Sequence, residues 1–231
     1  MNWRHIKPFL WGGTTILGLA LLYWVLRRYD LADLSAAIAS FPRLNLVAAT
    51  LFTLGSIACL SAGEMLGARY AGLRVPPARN ALVVLAALGI GHSIGLAALS
   101  SGAVRLRMYG RSGGRPDAVA RLLLFAGITI AFGLLLTASW ATLARSDVIS
   151  DLLGISPATA ITVLGLLPLA VALAYVAACR RYEGTIFRLW RLSLPVPPAR
   201  LAAGQLLAGT ANFLCVSAAL YFCLAPFNEA A

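Results

Sequence analysis

Arg105, Arg107, Tyr109 and Arg111 stand two residues apart at the end of a largely apolar run. In an extended chain all four share a face; in a helix Arg107 and Arg111 do, one turn apart. Either spacing gathers guanidinium groups that suit a phosphate, which arginine's planar fork holds bidentately. Taken alone, the same residues also fit the ordinary charge of a cytoplasmic loop. Arg121, one turn into the next apolar block, is less easily read as loop charge. Nucleophilic chemistry has little to work with, since a nucleophile needs a base oriented beside it. His5 and His92 are the only histidines; His5 lies in the N-terminal tail, and no acid shares the segment of His92. No G-x-S-x-G, H-E-x-x-H, P-loop or carboxylate pair at ligand spacing occurs. Cys59, Cys179, Cys215 and Cys223 fall in or beside apolar runs with no C-x-x-C or Cys/His spacing, so they read as small hydrophobes. No cofactor, no metal site and no enzymatic activity are expected.

Polar side chains within apolar blocks are the remaining candidates, because a charge at the bilayer centre costs roughly 2.5–3.5 kcal/mol on insertion scales. Glu64 can pair with an arginine in a headgroup cavity, or sit at the interface bridged to Arg69. His92 can donate to a phosphate, or satisfy an interhelical hydrogen bond. It stands with Ser93, Gly95 and Gly102 in a polar, glycine-rich part of its block. Gln205 and Asn212 lie seven residues apart, on one helix face, where they line a polar path or join helices.

These residues need a membrane scaffold. The 231-residue chain is 60% hydrophobic and 12% charged, against about 25% charged in soluble domains. Its mean hydropathy is +0.84. Six apolar blocks follow: Phe9–Leu26, Leu44–Leu66, Ala81–Val104, Val119–Leu143, Ala158–Ala178 and Leu201–Leu224. The first is too long for a signal-peptide core and lacks a small-residue cleavage site, so it reads as a retained span. Asp30–Ser40 has amphipathic spacing with Asp30 as cap, which predicts a short surface helix. Pro168 is placed to kink the fifth block. The expected fold is all-α, a polytopic transmembrane bundle of about six membrane segments forming one domain over residues 1–231.

The net charge of +11 is carried almost wholly by arginine. It lies between the blocks and fits loops that face anionic lipid; nothing resembles a nucleic-acid reader. If all six blocks span, thirteen of the nineteen Lys/Arg fall on one side and six on the other. If Ala81–Val104 enters and returns on the same side, the division becomes fifteen against four, which follows the positive-inside rule better. Gly89, Gly91, Gly95 and Gly102 with Ser93, Ser100 and Ser101 make a poor continuous helix. A break at membrane depth is tolerated where it is buried in protein or lines a wet cavity. The alternative is a straight helix whose glycines let neighbours pack closely.

The stretch "GHSIGLAALSSGAVRLRMYGRSG", from Gly91, resembles the signature of the lysylphosphatidylglycerol synthase transmembrane family. That family pattern is a glycine-rich membrane segment followed by Gly-Gly-Ala-Val-Arg-Tyr-Arg and a tyrosine. A second stretch, "RLAAGQLLAGTANFLCVSAALYFCLAP", Arg200 to Pro226, resembles the family's late segment. The resemblance implies the flippase-like half of multiple peptide resistance factor proteins, which moves phospholipids such as aminoacylated phosphatidylglycerol across the bacterial inner membrane. It implies lipid-phosphate binding by Arg105, Arg107, Arg121 and Tyr109, and a polar groove of Glu64, His92, Ser93, Gly95, Gly102, Gln205 and Asn212. Departures are Ser93 for the family's Asn, Ser101 for its first Gly, Asn212-Phe213 for Asp-Trp, and Gly63-Glu64 for Tyr-Asp. Asn212 thus lacks the charge that a proton- or cation-linked role would use. Family members continue through further spans, so a shortened form, or a remainder on a separate chain, is expected. Nothing resembles the soluble aminoacyl-transferase domain, and no lysyltransferase activity is expected. The partners implied are an anionic phospholipid, an aminoacyl-lipid synthase or other membrane protein, and a second copy of the chain. The competing reading is a non-catalytic accessory or structural membrane subunit that binds lipid or a partner enzyme.

Overall fold

Proline marks where the helices begin. Its missing N–H costs nothing in a first turn, where that donor has no intrahelical partner. A computed structural model of the chain describes residues 18–20, 23–24, 27, 39, 41–94, 97–111, 114–189 and 192–228; residues 92–94, 97–99, 189 and 192 are described in backbone only. Helix α1 is Arg43–Tyr70. Pro77 opens α2, Pro77–Ile94, and α3 is Ala97–Gly110. Pro116 opens α4, Pro116–Ala144. A short α5, Ser146–Leu153, leads to α6, Pro157–Arg181. Strands β1, Ile186–Leu189, and β2, Leu192–Pro195, pair antiparallel, with Ile186 opposite Pro195. Helix α7 is Ala199–Asn228.

Helices α1, α4 and α6, with Ala199–Phe227 of α7, run 25 to 29 residues each and are long and apolar enough to cross a membrane, for which about 20 suffice. The protein is an all-α membrane helix bundle. The first expected block, Phe9–Leu26, and the surface helix at Asp30–Ser40 fall mostly outside the described residues, which include only 18–20, 23–24 and 39 of them. The chain divides into two compact units, residues 1–47 with 224–231, and residues 48–223; the architecture below concerns the second.

The third block is two helices rather than one. The start of α2 meets the end of α3: Tyr109 Oη lies 3.2 Å from Asn80 Oδ1, and Arg79 Nη2 donates to the Met108 carbonyl at 3.4 Å. The pair is therefore an antiparallel hairpin, and the straight-helix alternative is excluded. Around its open end Ala68, Ala71, Val83, Tyr109, Ala118, Val119 and Leu122 form a buried cluster. Gly72 (φ +75°) closes α1. Its N–H bonds the Arg69 carbonyl and that of Leu73 bonds Ala68, a Schellman ending that turns the chain toward α2.

Small residues set the helix spacing, as is common where lipid offers no hydrophobic drive for association. A Cβ on Gly133 of α4 would fall 2.5 Å from the Gly209 backbone of α7, so the two backbones touch there. In α6, Ala160–Leu166 form a π-helical stretch immediately before Pro168. Proline cannot continue the ordinary i→i−4 pattern, and the wider turn takes up the mismatch. The Ser139 hydroxyl bonds the Gly165 carbonyl within that stretch.

Arginines gather at one end. Arg69 closes α1, Arg74 and Arg79 flank the start of α2, Arg107 and Arg111 close α3, and Arg180 and Arg181 close α6. Tyr70, at the end of α1, donates to the Pro195 carbonyl at 2.8 Å and fixes the β-hairpin at this end. The α4–α5 corner at the other end holds Arg145 with Asp147 and Asp151. A backbone N–H from Val148 and the neighbouring Arg145 hold the exposed Asp147 carboxyl below the usual range.

Candidate functional site

Glu64 sits in the last two turns of α1, facing the hairpin and 4% exposed. Arg105 of α3 meets it fork to fork, Nε to Oε1 at 2.8 Å and Nη2 to Oε2 at 2.9 Å. Their side chains are 3% and 13% exposed. Tyr109, one helical turn beyond Arg105 and fully buried, donates to Glu64 Oε1 at 3.0 Å. Its single proton faces two acceptors, the second being Asn80 Oδ1. Asn80 Nδ2 in turn donates to the Ser61 carbonyl, so α1, α2 and α3 are joined by one chain of polar contacts. Such a pair is stable in a low-dielectric interior only with this quality of geometry and additional hydrogen bonds.

The pair forms part of the wall of a cavity of about 350 Å³ between α1, the hairpin, α4 and α7. That volume lies at the lower end of the roughly 300–1,000 Å³ typical of small-molecule sites. Ser101, Thr129 and Asn212 supply its other polar groups, and the remaining wall is mainly apolar. Ile130, also on the wall, is half exposed. Gly209 lines the cavity where α4 and α7 touch.

The residues expected to hold one phosphate do not assemble as a group. Arg105 and Tyr109 converge on Glu64, but Arg107 is exposed and lies about 200° around the helix from Arg105. Arg121 bonds Asp117 at 3.3 Å and lies near Tyr70; its buried Nε has no partner among the described residues. Of the two readings of Glu64, pairing with an arginine beside a cavity is the one found, the arginine being Arg105 rather than Arg69. Asn212 lies on the cavity wall and accepts from Ser56 Oγ at 2.7 Å. Gln205 joins helices instead: its Nε2 donates to the Phe125 carbonyl and its Oε1 accepts from Tyr175, both at 2.8 Å. Gly102 packs toward Leu123 of α4. The backbones of His92 and Ser93 lie in α2 beside the cavity-lining Gly91; their side chains, and Gly95, lie outside the described residues.

Sequence reasoning missed Asn80, Ser56, Thr129 and Ser101 as members of the site. Asn80 carried a usable signal, an uncharged amide facing into the first turn of an apolar helix. The four cysteines are free. Among the described residues no three His, Cys, Asp or Glu side chains gather to hold a metal. No family model matches the chain, and no curated protein matches it.

Proposed function

We propose that the protein binds membrane phospholipids in this cavity and passes them across the bacterial inner membrane, as a flippase-like translocator. The observation that carries the reading is a charged pair, Glu64–Arg105, on the wall of a mostly apolar cavity inside a membrane bundle. Charged groups at membrane depth are costly and mark substrate paths by default. An amphiphile needs both parts, polar groups for its head and apolar wall for its chains. The resemblance of Gly91–Gly113 and Arg200–Pro226 to the lysylphosphatidylglycerol synthase transmembrane family supports the same conclusion. With the arginine end in the cytoplasm, as the positive-inside rule asks, the hairpin α2–α3 enters from that side and returns to it. Arg105 then receives the lipid phosphate inside the bundle, while Arg107 and Arg111 attract anionic headgroups at its mouth.

Reconstitution into vesicles with a fluorescent phospholipid tests this. Dithionite should bleach inner-leaflet probe in vesicles containing the protein and not in protein-free ones. The double variant Glu64→Gln/Arg105→Gln, which leaves no buried charge unpaired, should lose that activity while remaining folded. A second reading, a lipid-binding accessory subunit that moves nothing, is favoured by one feature: the pair is closed on itself. Lipid binding without bleaching of the inner leaflet would establish it instead.

A further inference from the structure

We propose that the cavity selects a phospholipid headgroup of zero net charge that carries one phosphate and one primary ammonium, over anionic and net-cationic lipids; this rests on the lipid-handling reading above.

The argument is charge balance at the wall. Glu64 and Arg105 neutralise each other, and no other charged side chain lines the cavity among the described residues. Arg105 uses Nε and Nη2 on Glu64; among the described residues nothing accepts from its Nη1. Among the described residues Glu64 Oε2 accepts only from Arg105, so one of its two lone pairs has no donor there. A donor edge of positive charge and an acceptor edge of negative charge therefore lie next to each other. A phosphate on Nη1 stands close to the Glu64 carboxylate, and a lone anion is repelled by it in this poorly screened setting. A lone cation on Oε2 meets the same difficulty with Arg105. A headgroup bearing both charges a few bonds apart places each against its complement and leaves none uncompensated. The nitrogen must carry hydrogens, because the carboxylate rewards an N–H donor that a quaternary ammonium lacks. A soluble phosphoamine shares this chemistry. The lipid is favoured by the mostly apolar wall and by Ile130 on that wall, which is half exposed, so the cavity is not sealed there.

The test is competitive binding to the purified, delipidated full chain by native mass spectrometry. The competitors are phosphatidylethanolamine, phosphatidylglycerol, phosphatidylcholine and lysyl-phosphatidylglycerol at equal concentration, with free phosphoethanolamine as a soluble arm. Retention of phosphatidylethanolamine about tenfold or more above each of the others is expected, with no displacement by free phosphoethanolamine. In Glu64→Gln the order should invert toward phosphatidylglycerol, because Arg105 is then unopposed. The ranking in the unsubstituted chain is a complete test even where that variant fails to fold. Equal or stronger retention of phosphatidylglycerol or lysyl-phosphatidylglycerol overturns the selectivity and leaves lipid handling standing. Equal retention of phosphatidylcholine overturns the need for a primary ammonium. Efficient displacement by free phosphoethanolamine overturns the lipid as the source, and absence of any bound lipid removes the underlying reading as well.

Discussion

Gln205 and Glu64 are both almost wholly buried, 0% and 4% exposed; Gln205 joins three helices directly and Glu64 does so with Tyr109 as go-between to Asn80, yet the two clusters do different work. Gln205 is neutral, and both ends of its amide meet a partner, Phe125 on α4 and Tyr175 on α6. Glu64 is charged, is matched by Arg105, and borders a cavity. A satisfied neutral amide is an adequate fastener between helices. A buried ion pair contributes little net stability over well-packed apolar residues, so fastening alone is a weak account of it. Position next to empty space, rather than burial, separates the site from the joint.

The contrast can be broken most forcefully at the charges. Glu64→Ala or Arg105→Ala should each destabilise the protein by about 3–5 kcal/mol, by stranding the other charge. Replacing both with apolar residues should recover most of that loss, which thermal unfolding of the three variants in detergent will read. If the double variant is as unstable as either single one, the pair is a structural fastener and the distinction from Gln205 disappears. Tyr109→Phe comes next. It removes the hydroxyl donated to a charged carboxylate and should cost about 1.5–3 kcal/mol, measured in the same way. Gln205→Leu should cost about 1–3 kcal/mol, since Tyr175 loses its acceptor while the Phe125 carbonyl still receives Thr129 Oγ1. It should leave the choice among lipid headgroups unchanged, so a shift in that choice would merge the two clusters. Smallest is Asp117→Asn at the exposed start of α4, where loss of the Arg115 and Arg121 contacts should change stability by about 1 kcal/mol or less.

Much of this was readable before any coordinates. Glu64 stood out as an acid within an apolar block, and the glycines and serines after Gly89 raised a broken segment beside the alternative of a straight, closely packed helix. What the sequence withheld was partnership. Glu64 and Arg105 are 41 positions apart, and only the hairpin's return brings α3 against α1. Arg107 and Arg121 were grouped with Arg105 as phosphate ligands, but helical rotation turns Arg107 outward and Asp117 engages Arg121. The β-hairpin at Ile186–Pro195 went unseen because its second strand ends in the proline-rich "LPVPPAR", which reads as a turn. Helix α5 is short, and its apolar face is carried by only Val148, Ile149, Leu152 and Leu153.

The contact of Gly133 with Gly209 has a mechanical consequence. With no side chain between them, α4 and α7 are already at their closest approach and share one fixed wall of the cavity. That wall acts as a doorpost. Any widening of the cavity therefore falls to its other walls, α1 and the α2–α3 hairpin, and the Glu64–Arg105 pair lies where those two meet.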